Sequence, residues 1–128
     1  MELIRETRTA RVERTPAGIV VTRIKAGVKQ VVSDAVENLS ISAQASNGKL
    51  APLLVDIREA AALDAETRHY YTGKRLDDSF SAFALLVVIG AFGKMMGNIY
   101  LRVAKPGIPA RLFTSEEEAL RWLESHLS

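Results

Sequence analysis

Apolar and polar positions alternate near the start of the chain: Ala10 and Val12 stand between Thr9, Arg11 and Glu13. A period of two is the pattern of a strand with one buried face. Thr15-Pro16-Ala17-Gly18 follows; Pro fixes φ and Gly accepts a positive one, so a turn is predicted there. The β-branched run Ile19–Ile24 reads as a second strand, antiparallel to the first. From Lys29 the period lengthens. Val32, Ala35, Val36, Leu39 and Ala43 fall at helical spacing and predict a buried stripe, with Asp34, Glu37 and Asn38 turned away. Asn47-Gly48 marks the turn that ends this helix.

Leu53-Leu54-Val55 is a short, wholly apolar run closing at Asp56, the pattern of a central strand covered on both faces. A helix is predicted from about Asp64, which serves as its N-cap. Ala82–Ile89 reads as another buried strand and Phe92–Ala104 as a helix, in which Gly93 and Gly97 permit close packing on the sheet. Pro109–Phe113 is the last strand. Ser115 then opens the last helix, capping the Glu118 amide while Glu118 reaches back, and Ala119, Leu120, Trp122, Leu123 and Leu127 form its apolar stripe.

The order β-β-α-β-α-β-α-β-α implies an α/β fold. A single mixed sheet begins with an N-terminal β-hairpin and continues in parallel strands through right-handed crossovers, with helices packed on it. With 128 residues, no internal repeat and no linker composition, residues 1–128 read as one domain. There is no Cys, which excludes disulfides, thiolate metal sites and thiol nucleophiles. The opening MELIRETRTA carries charges where a secretory leader needs an apolar core, so a cytoplasmic location is expected. Lys94, Asn98 and three glycines interrupt Phe83–Leu101, so that stretch reads as two short elements and not as a membrane span. Net charge is uneven: residues 1–30 hold seven Lys/Arg against three Glu, and residues 115–128 one Arg against four Glu.

LLVDIREAAALD, FALLVVIG and PARLFTSEEEALRWLESHL, in that order, resemble the small bacterial STAS/SEC14-like proteins, relatives of the sulfate-transporter and anti-sigma-factor-antagonist domain, over roughly residues 10–127. The resemblance implies a STAS-like sheet and a partner-binding surface. In the antagonists a strand-end Asp precedes a loop and an Asp-Ser-Ser-Gly helix start, where a Ser is phosphorylated to break a partner complex. Asp56 and Asp64 match the two aspartates, while Ala65 and Glu66 stand where the serines would be and Thr67 where the Gly would be. Both phosphoacceptors are absent, which puts that switch in doubt and leaves the surface. Glu66 fits either a fixed mimic of phosphate charge or an ordinary first-turn acid.

Other candidate chemistry resolves toward binding. Asp56 and Asp64 at one sheet edge could hold a cation or share a proton, but a strand-end Asp and an N-cap Asp are also ordinary structural uses. His69, beside Tyr70 and Tyr71, has no Ser, Cys or second His at a spacing that makes a triad. Tyr70 and Tyr71 on one helix cannot both face the core, so one of them is expected to be exposed or at an interface. Arg5, Arg8, Arg11 and Arg14 recur every third residue; on strands that spacing alternates faces, and without interleaved aromatics it does not make a nucleic-acid surface. Gly90-Ala91-Phe92-Gly93-Lys94 lacks the spacing of a phosphate loop. Phe92, Met95, Met96, Ile99, Tyr100 and Leu101 are too many apolar residues for one buried stripe, so part of the set faces a partner or a cavity.

The reading is a non-enzymatic binding module acting through protein–protein contact as a homodimer, with no cofactor or metal. Its surface draws on Asp56, Asp64, Glu66, Thr67, Tyr70, Tyr71, Phe92, Met95, Met96 and Tyr100. The alternative is a carrier of a small apolar or lipid-like molecule at the C-terminal edge of the sheet, with Lys94 or Asn98 as polar anchors.

Overall fold

The computed structural model describes residues 1–72, 79–91, 93–95, 98 and 107–127, with only the backbone at 71 and 72. Six strands run β1 (Glu2–Glu6), β2 (Ala10–Arg14), β3 (Val20–Ile24), β4 (Ala51–Asp56), β5 (Phe80–Leu86) and β6 (Ala110–Phe113), and they lie in the sheet in that same order. β1, β2 and β3 pair antiparallel and β3 to β6 pair parallel, the mixed sheet that the sequence pattern predicts. The helices whose residues are all described are α1 (Val32–Gln44), α2 (Ala65–Thr72) and α3 (Glu116–Glu124). Ala91, Gly93–Met95 and Asn98 are helical too; the rest of the helix expected over Phe92–Ala104, Gly97 included, lies outside the described residues.

β1 is a strand more than the pattern announced. Four of its five residues are exposed, so burial imposes no alternation. A bulge between Leu3 and Arg5 breaks what period remains, and a bulged, charged strand suits a sheet edge.

Side-chain parity builds the two faces. On one, Val12, Val20, Leu53, Phe80, Phe83, Leu85 and Val87 pack with Ile41 and Ala45 of α1, and α2 packs on α1. On the other, Ile19, Val21, Leu54, Ala82, Ala84, Leu86 and Phe113 receive Ala119 and Leu123 of α3. Pro52 in β4 lacks the amide a central strand would donate, and the β4–β5 register shifts at Ala51/Pro52.

Three expectations are corrected. α1 turns a different side inward: Asp34, Ala35, Asn38, Ile41 and Ser42 are buried, while Val36 is 44% exposed. Hydrogen-bond partners beneath the helix accept its polar residues, so the most apolar stripe is not the inner one. β5 ends at Leu86, and Val88 and Ile89 point outward. Leu127, beyond the end of α3, is 37% exposed. The Asn47-Gly48 turn forms with positive φ at both residues, 56° and 83°.

The charged and apolar C-terminal sheet edge

The C-terminal ends of the parallel strands form one edge. The strand register places Arg11, Arg23, Asp56, Leu86 and Phe113 side by side across β2 to β6. Arg23 thereby meets Asp56 directly, and the Glu116 carboxylate, in the first turn of α3, accepts from Arg23 and from Arg58. Arg23 Nε donates to Glu13 Oε1 at 2.6 Å, Nη1 to Asp56 Oδ2 at 3.1 Å and Glu116 Oε1 at 2.5 Å, and Nη2 to Glu116 Oε2 at 3.0 Å. Arg58, two residues past β4, donates its amide and Nε to Asp56 Oδ1 at 3.1 and 3.0 Å and its Nη2 to Asp56 Oδ2 at 2.8 Å and Glu116 Oε1 at 3.3 Å.

Burial alone pushes the Asp56 carboxyl up, but the Arg58 and Arg23 hydrogen bonds outweigh it and hold the group below the usual carboxylate range. Arg23 holds Glu116 low as well, and Glu116 in turn raises the already high Arg23. Asp56 and Glu116 are acceptors occupied by guanidinium and held low, so neither is poised to take a proton at neutral pH.

A second polar group lies beneath α1 at the same edge. The tight turn between β1 and β2 carries Thr7, whose hydroxyl donates to Asn38 Oδ1 at 2.7 Å, while Asn38 Nδ2 donates to Thr9 Oγ1 at 2.7 Å. Thr22 pairs with Ser42 at 2.7 Å. Arg8 Nε donates to Asp34 Oδ1 at 3.2 Å and Nη2 to Asp34 Oδ2, and Asp34 Oδ2 accepts the Val31 amide at 2.8 Å, closing the start of α1. Arg8 holds the Asp34 carboxyl below its ordinary value.

The residues proposed from sequence fall as follows. Asp64 caps α2, its Oδ1 accepting the Thr67 amide at 2.8 Å, and that amide holds its carboxyl low. Thr67 is fully buried, with its hydroxyl 3.5 Å from the Gln30 carbonyl. Glu66 is exposed and Tyr70 half-buried. Asp56 and Asp64 therefore serve separate partners, the arginine cluster and the α2 amides, and do not act on one group. The Tyr71 side chain and Phe92, Met96 and Tyr100 lie outside the described residues.

Past the end of β5 three apolar residues are exposed: Val88 at 45%, Ile89 at 85% and Met95 at 52%. Gly90 turns the chain there with φ +126°, and the Lys94 amide bonds the Gly90 carbonyl at 3.1 Å, starting a helical turn. Gly93 is buried against the strand end: a Cβ there would sit 2.3 Å from the Val88 carbonyl oxygen, so only Gly permits this approach. At the opposite edge of the sheet, Met1, Glu2, Arg14, Thr15 and Pro16 line an open depression.

Sequence reasoning missed Glu13, Arg23, Arg58 and Glu116. A signal existed for Arg23, a charge inside the apolar run Ile19–Ile24 on the same strand parity as the buried Ile19 and Val21. Glu116 was indistinguishable from its neighbours Glu117 and Glu118, because only docking of the helix decides which of the three turns inward.

The likeness to known structures is one of fold. A protein from Shewanella loihica PV-4, described as an uncharacterized protein from the DUF3478 family with a SpoIIAA-like fold, matches with a TM-score of 0.65 and 16% sequence identity, covering 94% of this chain and 98% of that one. A protein with unknown function from Arthrobacter sp. FB24 is 23% identical over 88% of this chain and 96% of that one, with a TM-score of 0.33. No curated protein matches the chain. A family model covers residues 14–127, from the end of β2 through α3, and the chain belongs to that family, the domain of unknown function DUF7793.

Proposed function

We propose that the protein is a non-catalytic interaction module that associates with a second copy of itself through the C-terminal edge of its parallel strands. The observation that carries this reading is the run of exposed apolar side chains past the end of β5, Val88, Ile89 at 85% and Met95, on a turn made by Gly90 and Gly93. Exposed branched and thioether side chains are the kind of surface that protein contacts cover. The charged residues beside it support a binding role over an enzymatic one, since Asp56, Glu116 and both arginines are engaged with one another. Asp64 is likewise committed to the start of α2.

The carrier of an apolar molecule has less support, because Phe83, Leu85 and Val87 are buried in the hydrophobic core formed by the described residues. Sedimentation velocity on the wild type and on Ile89→Asp tests the proposal. The expected result is a dimer that becomes a monomer on substitution; a wild type that stays monomeric up to high micromolar concentration defeats it.

A further inference from the structure

The arginine cluster joins parts of the chain that are remote in sequence. Arg23 comes from β3, Glu13 from β2, Asp56 and Arg58 from the end of β4, and Glu116 from α3. Beyond Arg58 the chain continues to the start of α2 at Asp64. α3 docks on its face through Ala119 and Leu123, and Glu116 ties down its first turn. Three carboxylates thus share two guanidinium groups. Withdrawing Arg58 leaves Glu13, Asp56 and Glu116 to share Arg23 alone. Asp56 is buried and fixed at a strand end, so the carboxylate able to yield is Glu116, whose side chain is 30% exposed against 10% for Asp56.

We propose that these five side chains couple the segment between β4 and α2 to the docking of α3: an acidic group on a partner that takes up Arg58 loosens the first turn of α3, and loosening α3 releases Arg58. The idea adds a regulation to the binding edge and rests on that reading only for what would pull on Arg58; the coupling itself is a property of the free protein. Hydrogen exchange followed by mass spectrometry on Arg58→Gln at neutral pH therefore tests it without any partner. Arg58 is 39% exposed at its side chain, so the fold should tolerate the change.

The expected result is exchange about two- to fivefold faster at the α3 amides of residues 119–123, the range that loss of a half-exposed ion pair gives, together with faster exchange over 57–63 and no change in β3. A rise confined to 57–63, or none, overturns the coupling. If every element loosens alike, Arg58→Lys decides, since it keeps the charge and loses the fork. A smaller rise in α3 then supports the proposal, and an unchanged α3 overturns it.

Discussion

The two faces of the sheet are closed by different physics. Under α3 the contact is apolar from Ile19 and Val21 to Leu86 and Phe113, and charged where Glu116 meets the arginines. Under α1 the half near Phe80, Leu53, Ile41 and Ala45 is apolar, whereas the half near the strand ends is a hydrogen-bonded seam of Thr7, Thr9, Thr22, Asn38 and Ser42. Apolar burial has no direction and tolerates a shifted helix. A satisfied polar seam accepts one register, because each slipped residue leaves a buried donor or acceptor without its partner. α3 is therefore held mainly by area, and α1 by area at one end and by geometry at the other.

The largest effect separates area from geometry at its clearest. Phe80→Ala, in the apolar half of the α1 face, is expected to cost about 3–5 kcal/mol and Leu123→Ala under α3 about 2–5 kcal/mol in urea denaturation. Both residues are essentially inaccessible to solvent, and neither change should alter which partners the seam makes. Asn38→Leu comes next. It keeps the volume roughly, removes the acceptor of the Thr7 hydroxyl and leaves the buried Thr9 hydroxyl without its donor, at an expected cost of about 1–3 kcal/mol. A neutral Asn38→Leu would show that the seam closes as well by apolar contact, and the contrast between the two faces would fail.

The charged end of the α3 face gives a smaller, pH-dependent effect. Glu116→Gln should cost about 0.5–1 kcal/mol near neutral pH, the scale of a partly exposed pair. The folded-state pKa of Glu116 is depressed by Arg23, so its contribution is fully present above the unfolded value of roughly 4.3 and disappears as pH falls through the folded value. Urea midpoints of the two proteins should differ at pH 7 and converge once pH has fallen below the folded value. A difference that persisted there would mean that the glutamine weakens α3 for a reason other than lost charge.

How much of this was legible beforehand follows the same division. Elements fixed by local chemistry were readable: the Pro16–Gly18 turn, the wholly apolar β4, the Asp64 cap, and Ser115, which accepts the Glu118 amide at 3.3 Å as predicted. So was the parallel pairing of the later strands. What depends on a distant partner was not. Asn38 and Asp34 read as solvent-facing because an isolated helix offers them no better place; Thr7, Thr9 and Arg8, some thirty residues earlier, supply it. Likewise Val88 and Ile89 read as strand core, since apolar residues at a strand end are assigned inward unless something shows where the strand stops. The Gly90 turn, packed through Gly93, lies just beyond them.

The smallest expected effect discriminates between those two readings of α1. Val36 is the residue on which they disagree most: by periodicity it belongs to the buried stripe, and in the structure it is 44% exposed. Val and Ser have similar intrinsic helix propensities, so Val36→Ser isolates burial. A core valine replaced by serine loses its transfer free energy and buries a hydroxyl, about 2 kcal/mol or more. An exposed one should change stability by no more than about 0.5 kcal/mol. A near-zero shift in the urea midpoint confirms that α1 presents its polar residues to the sheet. A loss of the larger size would turn the helix by one face, and with it would go the Asn38 seam on which the second prediction stands.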